Sequence, residues 1–197
     1  EVPEMFGAEH LLMKRAKSEA VFQEIGHLIN DFKGYFRDHD QPISENPAPG
    51  NKAGGITTLE EKSLGCVQKG GHAPVCQVAD YGERVDPAQG GLCLVNAPGN
   101  DVVSSTALAA AGTHIVMFTT GRGTPLGVSV PTLKISSNTE LAARKKGWID
   151  FDAGRLLSEG ASLDDLCDEL YAYVLRVASG EHVQNEINAG KGLTMRF

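Results

Sequence analysis

The 197-residue chain has no apolar run approaching the roughly 18–20 residues that a helix needs to cross a bilayer. A membrane is therefore not an expected partner. An excess of positive charge is missing too: 18 Lys and Arg stand against 25 Asp and Glu, for a net charge of -7. Nucleic acid and anionic lipid attract proteins through basic stripes, so neither is expected to bind. No basic-then-apolar leader precedes a small-residue cleavage site, and the expected location is the cytoplasm. Cysteine is sparse. Cys66, Cys76, Cys93 and Cys167 form no C-x-x-C pair and have no histidine at zinc-finger spacing, so they read as reduced thiols. Neither a P-loop nor a G-x-G-x-x-G fingerprint occurs, which disfavours a nucleotide-binding oxidoreductase. An initiator methionine is also lacking: the chain opens on EVPEMFGAEH and reads as a piece of a longer polypeptide.

What is present is ordinary globular material, 41% hydrophobic and 22% charged, long enough for one domain with one sizeable core. There is no internal repeat and no low-complexity segment. Residues 1–40 read as a helical lead-in, with apolar residues at helical spacing from Leu11 to Phe36 and a break near Ser18, which could cap a second helix. Residues 41–57 are rich in proline and glycine and read as a long loop without regular structure. Residues 58–197 read as an α/β core and a C-terminal helix. Strand candidates VCQVADY, LCLVNAP, HIVMFTT and TLKIS alternate with helix candidates TTLEEKSLGCVQKGG, DVVSSTALAAAG and TELAARKKG. That alternation predicts a mostly parallel sheet with helices on both faces. The last long helix starts near Ser162 and buries Leu163, Leu166, Leu170, Tyr173, Val174 and Val177.

In such sheets ligands bind at the carboxyl ends of strands. The rule gathers three loops, NAPGND from Asn96, TTGRGTP from Thr119, and NPAPGNKAGG leading to Glu60, Glu61 and Lys62. In TTGRGTP, Gly121 and Gly123 free the backbone, the threonines offer hydroxyls and Arg122 offers a planar fork, so the stretch is either an anion clamp or a tight turn. Thr58 and Glu61 have capping-box spacing, as do Thr57 and Glu60, and a glutamate there either caps a helix or does chemistry. Lys62 either neutralises a substrate carboxylate, acts as a base, or is solvated. Glu1, Glu4, Glu9 and His10 suffice for a hard divalent-metal site if the backbone gathers them, and otherwise form a solvated face. Asn46, Asn51 and Lys52 suit hydroxyl groups. His72, His114 and His182 stand alone.

The strings NPAPGNKAGGITTLEEKSLG, APGNDVVSSTALAAAG, FTTGRGTPLG, VPTLKISSN and WIDFDAG, with EVPEMFGAEHLL at the front, resemble the altronate/galactarate dehydratases over essentially the whole chain. Details such as TTLEEKSLGC and WIDFDAG are closer to the altronate branch. The resemblance implies a Rossmann-like C-terminal domain of a longer chain whose N-terminal and middle regions are absent. It also implies a hydro-lyase, working with a divalent metal such as Fe2+ or Mn2+, that converts a sugar acid to a 2-keto-3-deoxy acid. On that basis Glu1 and Glu4 are expected at the metal, and Glu61 near it as a catalytic carboxylate. Lys62 is expected as base or second clamp. Arg122, Gly121, Gly123 and Thr124 would hold the substrate carboxylate, and Asn51, Lys52 and Asn100 its hydroxyls. The isolated piece is expected to be inactive, and the whole protein to be a homodimer. The alternative is a non-catalytic domain that binds an anion or mediates dimerisation.

Overall fold

A computed structural model describes residues 1–43 and 46–189; Ser44 and Glu45 of the proline-rich loop, and the last eight residues of the expected core, lie outside the described residues. The chain divides into two compact units, Glu1–Gly112 and Thr113–Phe197. Both combine helices with parallel strands, in keeping with the mixed α/β class expected from the sequence.

The first unit begins with a 3-10 turn at Val2–Met5, followed by α1 (Glu9–Met13) and α2 (Glu19–Asp38). The break falls where the sequence placed it. Ser18 adopts an extended backbone and its side chain accepts from the Val21 N–H at 3.3 Å, satisfying an amide that the first helical turn leaves free. Val21, Ile25, Leu28 and Ile29 then fall on one face of α2 and are buried. They pack with Val2, Phe6, Leu12, Val67, Val75 and Leu94, and Phe32 and Phe36 meet Phe6 edge-on at 6.3 and 6.4 Å. Fully burying each such side chain contributes about 1.5–3 kcal/mol. Phe6, 1% exposed at the centre of this cluster, is the residue whose truncation would cost most.

The stretch read as irregular contains a short helix, α3 (Pro49–Ala53). Its proline explains both the misreading and the helix: at the first helical position no N–H is needed and φ is already set. Next come α4 (Leu59–Gln68), β1 (Val75–Ala79), β2 (Leu92–Val95) and α5 (Asp101–Ala110), with β1 and β2 paired in parallel. The helix α4 closes at Lys69–Gly71, where Gly71 takes φ 58°.

In the second unit β3 (Val116–Thr120), β4 (Thr132–Ser136) and β5 (Phe151–Asp152) form a parallel sheet in the order β3-β4-β5. All five residues of the central β4 are buried. Between and after the strands lie α6 (Thr139–Arg144), α7 (Arg155–Ser158), α8 (Leu163–Ala178) and α9 (Gln184–Ala189). The expected stripe of α8 holds except at its first residue. Leu166 and Val177 are buried and Leu170, Tyr173 and Val174 pack against the core, but Leu163, the first helical residue, is 60% exposed. At a helix start the side chain has no preceding turn to rest on. Strand β5 and helix α9 escaped the sequence reading because two and six residues carry too little periodicity.

Candidate active site

The turn Val2–Met5 and the residues after it are seated on the loop after β2 and on α4 in the first unit. Val2 N–H donates to Ala97 O (2.9 Å) in the loop after β2, and Ala8 N–H donates to the buried Ser63 hydroxyl of α4 (3.1 Å). Gly7, at φ 101°, lets the chain pass so near α4 that a Cβ there would stand 3.3 Å from Glu60 Cα. Only glycine takes that path without strain.

This seat gathers a compact polar cluster. Glu4 Oε2 accepts from the Cys66 thiol at 3.2 Å and lies 3.3 Å from Lys62 Nζ, while Glu4 Oε1 accepts from the Asn46 amide at 3.2 Å. Lys62 and Cys66 are four residues apart and therefore share one face of α4. Burial pushes the Glu4 carboxyl up, but the Cys66 bond, the Lys62 charge and the Asn46 bond outweigh it and hold it below the ordinary value. Burial, aided by Glu4, raises the Cys66 thiol to about 11, so the sulfur is a neutral donor. Glu1, on the same turn, accepts from the Ser104 hydroxyl of α5 at 3.0 Å, and its carboxyl is raised chiefly by burial.

The other expected residues have local tasks. Thr58 caps α4 by accepting from Glu61 N–H (3.1 Å), and Glu61 Oε2 reaches back to Thr57 N–H (2.8 Å) and Thr57 Oγ1 (3.0 Å). This is a capping box displaced by one residue. A catalytic Glu61 would have to give up both bonds. Asn100 caps α5, its side-chain oxygen accepting from Val102 and Val103 N–H at 3.2 Å each. Asn51 and Lys52 lie on α3, with no side-chain hydrogen bond among the described residues. Glu9 pairs with Lys33 at 2.6 Å. His72, His114 and His182 are exposed.

Both Glu4 oxygens are engaged, one by a cation, and no three His, Cys, Asp or Glu residues gather in metal-binding geometry among the described residues. Hard divalent ions take about six oxygen ligands. Among the described residues Glu1 and Glu4 do not form a self-contained site for one.

A groove of about 920 Å³ opens in the same unit, where β1 and β2 end beside α2. Its rim carries Glu24, Asp31, Asp80 and Glu83, and no lysine or arginine lines it among the described residues. Four carboxylates repel an anion. The groove therefore does not suit an anionic ligand.

The Gly121–Thr124 stretch belongs to the second unit and is braced from within. Gly123 N–H donates to Thr120 Oγ1 (3.0 Å), Leu126 N–H to Thr124 Oγ1 (3.2 Å), and Asn138 Nδ2 to Gly121 O (2.9 Å). Gly123 has φ 85°. The arrangement is a tight turn that presents Arg122, whose guanidinium is exposed and has no ion pair among the described residues. The turn and an anion clamp are compatible.

The family model for the C-terminal part of D-galactarate/altronate dehydratases matches residues 1–195. The chain belongs to that family. It is 56% identical over 195 residues to an altronate dehydratase of Bacillus subtilis (strain 168), covering 99% of this chain and 39% of that protein. An altronate dehydratase of Escherichia coli (strain K12) is 57% identical over 188 residues, 95% of this chain and 37% of its own length. A galactarate dehydratase (L-threo-forming) of the same organism is 36% identical over 182 residues, 92% of this chain and 34% of that protein. The chain thus spans well under half the length of these relatives. Cys66 and Ser104, which the sequence did not single out as candidate site residues, bond to Glu4 and Glu1. The one available signal for Cys66 was its spacing of four from Lys62.

No helix among the described residues is long and apolar enough to cross a membrane.

Proposed function

We propose that this chain is the C-terminal part of a hydro-lyase that dehydrates an altronate-like aldonate, or galactarate, to a 2-keto-3-deoxy acid. The observation that carries the reading is the assembly of Glu4, Lys62, Cys66 and Asn46 from two separate stretches of the family resemblance, residues 1–12 and 46–66. The proton at C2 of such a substrate is weakly acidic because the adjacent carboxylate is already negative. When it leaves, charge accumulates on the carboxylate; departure of the C3 hydroxyl as water gives an enol that becomes the keto acid. A fixed cationic donor lowers the barrier because it is already oriented toward the charge that develops. In this reading Lys62, aimed by Glu4, is that donor. Asn51, Lys52 and Asn100 meet hydroxyl groups, and Arg122 on its braced turn clamps a carboxylate. A divalent ion, Fe2+ or Mn2+, stays part of the proposal for the whole protein as a source of further positive charge.

The share of each relative that the chain covers supports the presence of further regions in the same polypeptide. The non-catalytic alternative has less support, since three of the relatives carry the names of dehydratases. The test is release of a 2-keto-3-deoxy acid from altronate and galactarate by the full-length protein, with the 197-residue chain alone releasing little or none. Absence of product from both acids with the full-length protein would overturn the reading. Wild-type kinetics in full-length Arg122→Ala would remove the clamp from it.

A further inference from the structure

We propose that Cys66 is a positioning residue of this site: its thiol on Glu4 Oε2, with the Asn46 amide on Oε1, fixes the carboxylate that aims the Lys62 ammonium. The proposal rests on the dehydratase reading, but the contact it invokes is testable apart from it.

A glutamate has three side-chain rotors and, unheld, would swing its carboxylate through several orientations. Each Glu4 oxygen here has a donor from a different segment, Cys66 from α4 and Asn46 from the loop before α3. The backbone on both sides is pinned as well, by Val2 to Ala97 O and by Ala8 to the Ser63 hydroxyl. Lys62 therefore meets a carboxylate with one orientation, and its remaining N–H bonds are directed rather than free to wander. The neutrality of the thiol matters. A second cation at position 66 would compete with Lys62 for Glu4, and an apolar residue would leave Oε2 to Lys62 alone. Among the described residues the remaining cysteines have no such partner: Cys76 and Cys93 reach only backbone oxygens at 3.5 Å, and Cys167 is exposed.

The plain alternative is that Cys66 only fills space on a half-buried helix face. Two substitutions separate the readings because they fail in opposite ways. Cys66→Ser keeps a donor and loses volume; Cys66→Val keeps volume and loses the donor. In the full-length protein assayed with altronate, Cys66→Ser should keep kcat within about threefold. Cys66→Val should lose about tenfold in kcat, with KM changed by no more than about twofold, as expected for a misplaced reacting group. A kcat for Cys66→Val at or above that of Cys66→Ser would overturn the proposal. A Raman difference spectrum, wild type minus Cys66→Val, isolates the S–H stretch of this residue without reference to turnover. It should lie at the low wavenumber of a hydrogen-bonded thiol and move up in Glu4→Leu. A band that does not move would overturn the contact, even in a protein that dehydrates no acid; a missing activity with a band that does move would overturn the dehydratase reading alone.

Discussion

Two polar clusters, one in each unit, use their side chains differently. In Glu1–Gly112, Glu4, Lys62, Cys66 and Asn46 meet one another, side chain to side chain. In Thr113–Phe197 side-chain pairs such as Arg155 with Glu169 and Arg176 with Glu181 also occur, but the buried polar groups bond chiefly to backbone. Asp150 accepts from Lys134 N–H and from Gln184 N–H, both at 2.7 Å, and the buried Lys134 donates its Nζ to Leu126 O at 3.1 Å. Thr120, Thr124 and Asn138 do the same within the Arg122 turn. A side chain bonded to backbone dictates where the chain runs and is spent in doing so. A cluster of side chains keeps donors and charge that a ligand can still recruit. The carboxyls record the contrast: Glu4 is held below its ordinary value by its neighbours, whereas burial raises Asp150 above its own despite its bonds.

Perturbing each pattern gives different results. The largest effect is expected from Lys62→Met in the full-length protein, which should lower kcat for sugar-acid dehydration by at least about a hundredfold, as when a preorganised donor is removed from developing negative charge. The steady-state rate of keto-acid release measures it, and a loss below tenfold would put the centre of the chemistry elsewhere. Asp150→Ala should destabilise the second unit by about 3 kcal/mol, because two backbone N–H groups lose their acceptor. Urea unfolding followed by the fluorescence of Trp148, which lies in that unit, reads it directly. Asn100→Ala should cost about 1 kcal/mol as a lost helix cap, and a smaller stability change with a large rise in KM would favour its hydroxyl-binding role instead.

The Glu4 contribution should depend on pH. Its folded pKa lies below the ordinary 4.5, so the unfolded chain takes up the proton first as pH falls. Stability from this group is therefore present above about 4.5 and lost as pH drops through the folded value. The stability gap between wild type and Glu4→Gln, measured by denaturation across acid pH, should close in that window. The smallest effect belongs to Arg122→Ala, whose stability should match wild type within about 0.5 kcal/mol because the exposed guanidinium braces nothing among the described residues. A large loss would make it part of the turn's framework.

Much of this was legible beforehand, for physical reasons that differ by element. The Ser18 cap and the stripe from Val21 to Ile29 are local patterns, and local patterns fix helices. The four apolar strand candidates all became strands because buried parallel strands need continuous apolar runs. The α3 helix was hidden by the proline that starts it. Among site residues, Glu4 was recognisable in the cluster with Glu1, Glu9 and His10 and Lys62 beside the glycine-rich loop, but their pairing joins positions 58 residues apart and no local pattern encodes it. Cys66 was set aside for lacking a partner cysteine or histidine, a criterion blind to a thiol whose partner is a carboxylate. Lys134 and Asp150 were missed because a lysine amid apolar neighbours in TLKIS looks like a solvent-facing residue of an ordinary strand.

That lysine has a practical consequence. Lys134 is 1% exposed, while Lys146 in the same unit is open to solvent. An amine-acylating reagent should modify Lys146 at once and Lys134 only in molecules whose central strand has come away from its neighbours. The ratio of the two adducts by mass spectrometry then serves as an internal clock for the opening of this sheet, readable in the full-length protein without a spectroscopic probe.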